Sequence, residues 1–156
     1  MNHSKSSTSV MFAASGSGVL LPCYVVYRSS HLYASRTEGT PRGTRFNRTK
    51  SGWFESCCFD DWIRTIIIPH LKALDGKKYI IGDNLSSHLS VESIKARQNH
   101  QISCVFLPSN STNLTQLLDV AFFRPLKVAW RSIILEWKTG PEEKKAVCQN
   151  MFSQGY

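Results

Sequence analysis

The chain has 156 residues, 42% hydrophobic and 19% charged, which suits one domain with its own core and excludes a long disordered chain. Its net charge of +8 favours polyanionic partners, nucleic acid ahead of an anionic membrane surface; a merely basic solvated surface is the plainer alternative. The longest apolar runs, at 19–27 and 79–81, fall well short of the ~20 residues of a membrane-spanning helix, and the polar first nine residues do not read as a signal peptide.

Residues 1–9 are Ser-rich and read as a loose tail. Val10–Ala14 and Leu20–Tyr27 are β-prone runs split by Ser15-Gly16-Ser17-Gly18, the pattern of a hairpin. Residues 28–52 are polar and basic with no helical period. They read as a long exposed loop carrying Arg28, Arg36, Arg42, Arg45, Arg48 and Lys50. From Phe59 to Leu74 the apolar positions recur at helical spacing, with Pro69 predicting a kink and Asp75-Gly76 a stop. On that helix Asp60 and Asp61 read as first-turn acids.

Lys78–Gly82 reads as a strand ending at Asp83, and Ser90 as the N-cap of a short helix from Val91. Ile102–Leu107 reads as a second strand, ended by Pro108 and a loop of Ser, Asn, Thr and Pro. This strand–helix–strand unit predicts a parallel crossover, and ligands of open α/β sheets bind outside the carboxyl ends of such strands. Asp83 sits there. The last element opens near Thr115 or Gln116, puts Asp119 on a first turn, and is interrupted by Pro125. Beyond it Leu126, Ala129, Trp130, Ile133, Ile134 and Trp137 form an apolar stripe, with Lys127, Arg131 and Lys138 off it. Trp53, Trp62, Trp130 and Trp137 read as core residues. The five cysteines show no zinc spacing and read as reduced thiols, placing the chain in cytosol or nucleus.

Five stretches then carry a resemblance: SGSGVLLPCYVVY, TRFNRTKSGWFES, IIGDNLSSHLS, VFLPSNSTNLTQLLDVAFFRPLK and the trailing AWR. In this order, over roughly residues 6–138, the chain resembles the DDE superfamily endonuclease domain of pogo/Tigger-type transposases, of the mariner superfamily. The resemblance implies an α/β, RNase H-like fold, a mixed five-stranded sheet flanked by helices. Residues 10–138 would form a partial DDE catalytic domain and 139–156 a C-terminal tail. Asp83 and Asp119, 36 positions apart, would be the second and third acids of a catalytic metal-binding triad, with Asn84 and His88 as possible accessories.

The family's first strand lies centrally in the sheet and carries the first acid. No match to it is present, and residues 1–37 contain no Asp or Glu. A proline commonly precedes the Leu-Asp pair in the family, where Leu117 stands here, and a histidine is common where Asn113 stands. The family's chemistry uses two Mg²⁺ or Mn²⁺ ions, one activating the attacking oxygen and one stabilising the leaving oxygen. Two aspartates poorly match two such ions, so the expectation is a DNA-binding remnant of the domain, catalytically inactive alone and nuclear. The other expectation kept open is a domesticated, non-catalytic DNA-binding or protein-interaction module. Arg42, Arg45, Arg48, Lys50, Lys127 and Arg131 are the candidate DNA contacts, and oligomeric state is not legible.

Overall fold

The computed structural model describes residues 7–82, 90–107 and 118–140. They fall into two compact units: residues 1–32 with 39–109, and residues 33–38 with 110–156.

The first unit opens with β1 (Thr8–Met11), which pairs antiparallel with β2 (Tyr24–Arg28). An isolated bridge, Ala14 to Leu20, continues the hairpin toward its tip. There Gly18 takes a positive φ of 84° and its N–H donates to the Ser15 carbonyl at 2.9 Å. The expected hairpin therefore forms, with shorter strands, and β1 begins at Thr8, which corrects the reading of residues 8 and 9 as part of a loose tail: pairing with β2 orders them.

The expected loop at 28–52 is not loop throughout. Arg45–Thr49 is a strand, β3, running parallel to β2 with Val25 opposite Phe46 and Tyr27 opposite Arg48. Its sequence, RFNRT, lacks the aliphatic run that marks a buried strand, because β3 is an edge. The three-stranded order is β1-β2-β3.

A helical rod follows in three pieces: α1 (Ser56–Trp62), a π segment (Ile63–Ile67) and α2 (Ile68–Leu71). Pro69 has no N–H to donate and its ring crowds the carbonyl of Thr65, and the turn ahead of it is widened into the π segment. The rod begins at Ser56, which corrects the reading of Asp60 and Asp61: they lie in its second turn. Its apolar side carries Cys58, Phe59, Trp62, Ile63, Ile66 and Ile67, buried against Leu21, Tyr24 and Val26. Met11 of β1 and Ile80 both pack on this cluster.

β4 (Lys78–Gly82), α3 (Val91–Gln98) and β5 (Ile102–Phe106) form the expected unit, with β4 and β5 parallel and Ile80 opposite Cys104. Ile102 and Ser93 are buried. Arg97 is buried as well, its Nη1 donating to Cys104 Sγ at 2.7 Å, while its Nε has no partner among the described residues. Burial pushes the Cys104 thiol up, and the Arg97 charge opposes the shift. Tyr79, Ile81 and Val105, on the other face of this pair, are exposed, Ile81 at 65%.

The fold is thus α/β, and the described strands form two sheets, of three and two strands. No described strand joins the outer edge of β1 to that of β4.

In the second unit a single 3₁₀ turn, Ala34–Arg36, places the Arg36 guanidinium 5.8 Å from the centre of the Tyr33 ring. The other element is a π segment (Asp119–Phe123) leading into α4 (Arg124–Thr139), with Pro125 in the first turn of α4. The sequence reading has Pro125 interrupting this element; the π segment instead runs directly into α4, with the proline in its first turn. The expectation that α4 buries its tryptophans fails: no residue of this 16-residue helix is buried, and Trp130 is 55% exposed. Trp53, in the first unit, is also exposed, and of the four tryptophans only Trp62 is a buried core residue among those described.

Candidate nucleic-acid and metal site

The carboxyl end of β4 is where the sequence places the second acid. Gly82 closes that strand, and its carbonyl accepts from the N–H of Leu107, so pairing with the β5 segment is held to the last residue. Asp83, Asn84 and His88 follow directly and lie outside the described residues. Ser90 closes the segment at the far side. Its hydroxyl accepts from the Ser93 N–H at 3.0 Å and donates to Asp60 Oδ1 at 2.8 Å, capping α3 and tying that cap to α1. Both ends of the segment bearing Asp83 are therefore anchored to regular structure.

Asp119 begins the π segment ahead of α4, in the second unit. Among the described residues no group of three or more His, Cys, Asp and Glu could hold a metal ion. Two aspartate oxygen donors suit a hard cation such as Mg²⁺. The described residues do not assemble such a donor set.

Asp60 and Asp61 have other work. Tyr24 is fully buried, and its hydroxyl donates to Asp61 Oδ2 at 2.6 Å and accepts from Asn47 Nδ2 at 2.8 Å. This chain joins β2, β3 and α1 around one phenol. Burial pushes the Tyr24 phenol above its ordinary value of 10.0, and the bond to Asp61 pushes it further.

The basic candidates divide between the units. Arg42 lies in a turn closed by the Thr44 N–H donating to the Pro41 carbonyl, and Arg45 and Arg48 lie on β3, with Lys50 just beyond; all four are exposed. The Arg45 N–H donates to the Cys23 carbonyl, continuing the parallel pairing. Lys127 and Arg131 are exposed on α4. Sequence reasoning missed the aromatic neighbours of Arg48. Tyr27 and Phe46 lie parallel, 2° apart in plane, with ring centroids separated by 6.3 Å. The only available signal was an aromatic residue, Phe46, set among polar ones inside an apparent loop, too little to mark a strand.

The family model of the DDE superfamily endonuclease matches residues 4–152. The chain belongs to this family. DDE endonuclease domains of this kind use divalent metals and act on DNA. Two curated relatives are similar to it. The "Pogo transposable element with KRAB domain" of Mus musculus is 22% identical over 128 residues, 81% of this chain and 21% of that protein. The "MFS-type transporter clz9" of Cochliobolus lunatus is 29% identical over 110 residues, 70% of this chain and 12% of that protein. The chain thus spans about a fifth or less of the length of either relative. No described helix is long and apolar enough to cross a membrane. No solved structure matches the chain significantly.

Proposed function

We propose that these residues are the nucleic-acid-binding part of a transposase-type DDE endonuclease domain with an RNase H-like fold. The match to that family over residues 4–152, in a chain of net charge +8, carries the reading. Asp83 and Asp119 are its second and third acids, with Asn84 and His88 beside the metal position. Arg42, Arg45, Arg48, Lys50, Lys127 and Arg131 meet the DNA backbone, in the nucleus.

The separation of the described strands into two sheets supports a fold whose first strand belongs between β1 and β4. That strand carries the family's first acid, the natural bridge between two metal ions. On this reading the 156 residues alone lack cleavage activity. When bound, Mg²⁺ or Mn²⁺ would supply Lewis-acid stabilisation of the phosphodiester oxygens. The part of this chain is to position two carboxylates and hold the DNA.

Two measurements test the reading. Duplex DNA binding should weaken as salt rises, by about 0.9 in the log–log slope per phosphate contact. Absent or salt-independent binding overturns the nucleic-acid reading. Plasmid nicking with Mg²⁺ or Mn²⁺ should stay at background, and nicking that Asp83→Ala abolishes overturns the inactivity.

A further inference from the structure

We infer that the face of the three-stranded sheet turned away from α1 is a docking surface for single-stranded DNA, on which an unpaired base stacks against Phe46 beside Arg48. The inference rests on the nucleic-acid reading above and names the form of DNA taken at this surface.

The two faces of this sheet differ. Tyr24, Val26 and Asn47 lie on the face toward α1, where Tyr24 and Val26 are fully buried. The strand register puts Val10, Val25, Tyr27, Phe46 and Arg48 together on the opposite face. Val10 is exposed there, Val25, Tyr27 and Phe46 are half-buried, and Arg48 is exposed. The Tyr27 and Phe46 rings already lie parallel to one another. A nucleobase is a third flat, polarisable plane of the same kind, and stacking of this sort accepts any base.

Charge complementarity selects the occupant. Arg48 stands two residues along β3 from Phe46, a spacing of ~6.6 Å at about 3.3 Å per residue, which suits one nucleotide's base and an adjoining phosphate. Arg42 and Lys50 flank the same edge strand and add positive charge at its two ends, while Arg45, one residue from Phe46, falls on the other face. No acidic residue lies between Glu38 and Glu55 to offset them. A duplex keeps its base faces inside its own stack, so only an unpaired strand gains from the ring. The Tyr27–Phe46 contact also packs β2 against β3, but any apolar side chain of similar volume at 46 meets that need. Base stacking requires the aromatic plane.

The test uses the whole 156-residue chain and fluorescence anisotropy with a labelled 12-nucleotide oligothymidylate, its duplex, and an abasic strand of equal length. The wild-type chain should bind the abasic strand about tenfold more weakly than the thymidylate strand. Phe46→Leu should weaken thymidylate binding about tenfold and leave duplex binding within twofold, while Phe46→Trp retains both. Arg48→Gln should weaken both forms and lower the salt slope by about one. Equal wild-type affinity for abasic and thymidylate strands overturns the inference without any variant. So does unchanged thymidylate binding by Phe46→Leu, or an equal loss on both DNA forms, which marks a purely structural side chain. Salt-dependent duplex binding alongside either result leaves the broader nucleic-acid reading standing. Binding of neither form removes both.

Discussion

A single buried hydroxyl holds three elements together. Tyr24 donates to Asp61 and accepts from Asn47, so Tyr24→Phe strands both partners. It should cost about 1–3 kcal/mol in urea denaturation at neutral pH. The sign of the alkaline effect follows from the raised phenol. In the unfolded chain Tyr24 loses its proton near 10.0, while the folded protein keeps it, so the folded state binds more protons. Stability is full below pH 10 and falls above it. Cys58 acts in the same direction earlier, since burial pushes its thiol from 9.0 up to about 11. Wild-type stability should therefore decline from pH 9 upward, and Tyr24→Phe should flatten the decline above pH 10. An alkaline decline above pH 10 identical in the two proteins counts against this account. Gly52 is the other sensitive residue. Its φ is +75°, and a Cβ there would stand 2.5 Å from the Ser7 carbonyl oxygen and 2.8 Å from Arg28 Cβ. Gly52→Ala should destabilise by about 1–3 kcal/mol, read as a lowered urea midpoint.

Among the elements, α3 and the β4–β5 pair were legible because each rests on local signals. A Ser cap, a helix of good formers and two short apolar runs need no distant partner to be recognised. The cap also makes a long-range bond that the sequence did not reveal, Ser90 to Asp60. Ser90→Ala removes both that bond and the one to the Ser93 N–H, and should cost about 1–2 kcal/mol. Asp60→Ala keeps the cap and removes only the Ser90–Asp60 bond, and should cost less; an equal loss in the two variants would show that this bond dominates. β3 was hidden for the opposite reason. Its strand character comes from pairing with β2 across a 16-residue connection, a tertiary fact that the Arg-rich sequence does not advertise. The prolines at 69 and 125 were legible as interruptions, but the π segments preceding both were not, since how a helix absorbs a missing N–H depends on its packing.

At the scale of the molecule, the described strands leave apolar surface uncovered. Parallel strand pairs are ordinarily covered on both faces, yet Tyr79, Ile81 and Val105 are exposed, and among the described strands none pairs with the outer edge of β1 or of β4. The isolated chain should therefore self-associate as its concentration rises, measurable by light scattering. Ile81→Lys should raise the soluble fraction and change the urea midpoint by no more than about 0.5 kcal/mol equivalent, because the side chain already faces solvent. A wild-type chain that stays monodisperse at high concentration and unfolds in one sharp transition would contradict the exposed-edge account.

The sequence alone determined the family, through ordered motifs read side chain by side chain, and with it the candidate acids Asp83 and Asp119. It also determined the basic character, which is a sum over residues, and the helices and strands whose signals are local. The tertiary structure alone decided what each side chain meets. It turned Asp60 and Asp61 from first-turn acids into partners of Ser90 and Tyr24, and exposed Trp53 and Trp130 where a core was expected. It also set Phe46 beside Tyr27 on the sheet face turned away from α1. Those outcomes depend on pairing and burial between residues far apart in the chain, and free energy of that kind is not written in any local pattern.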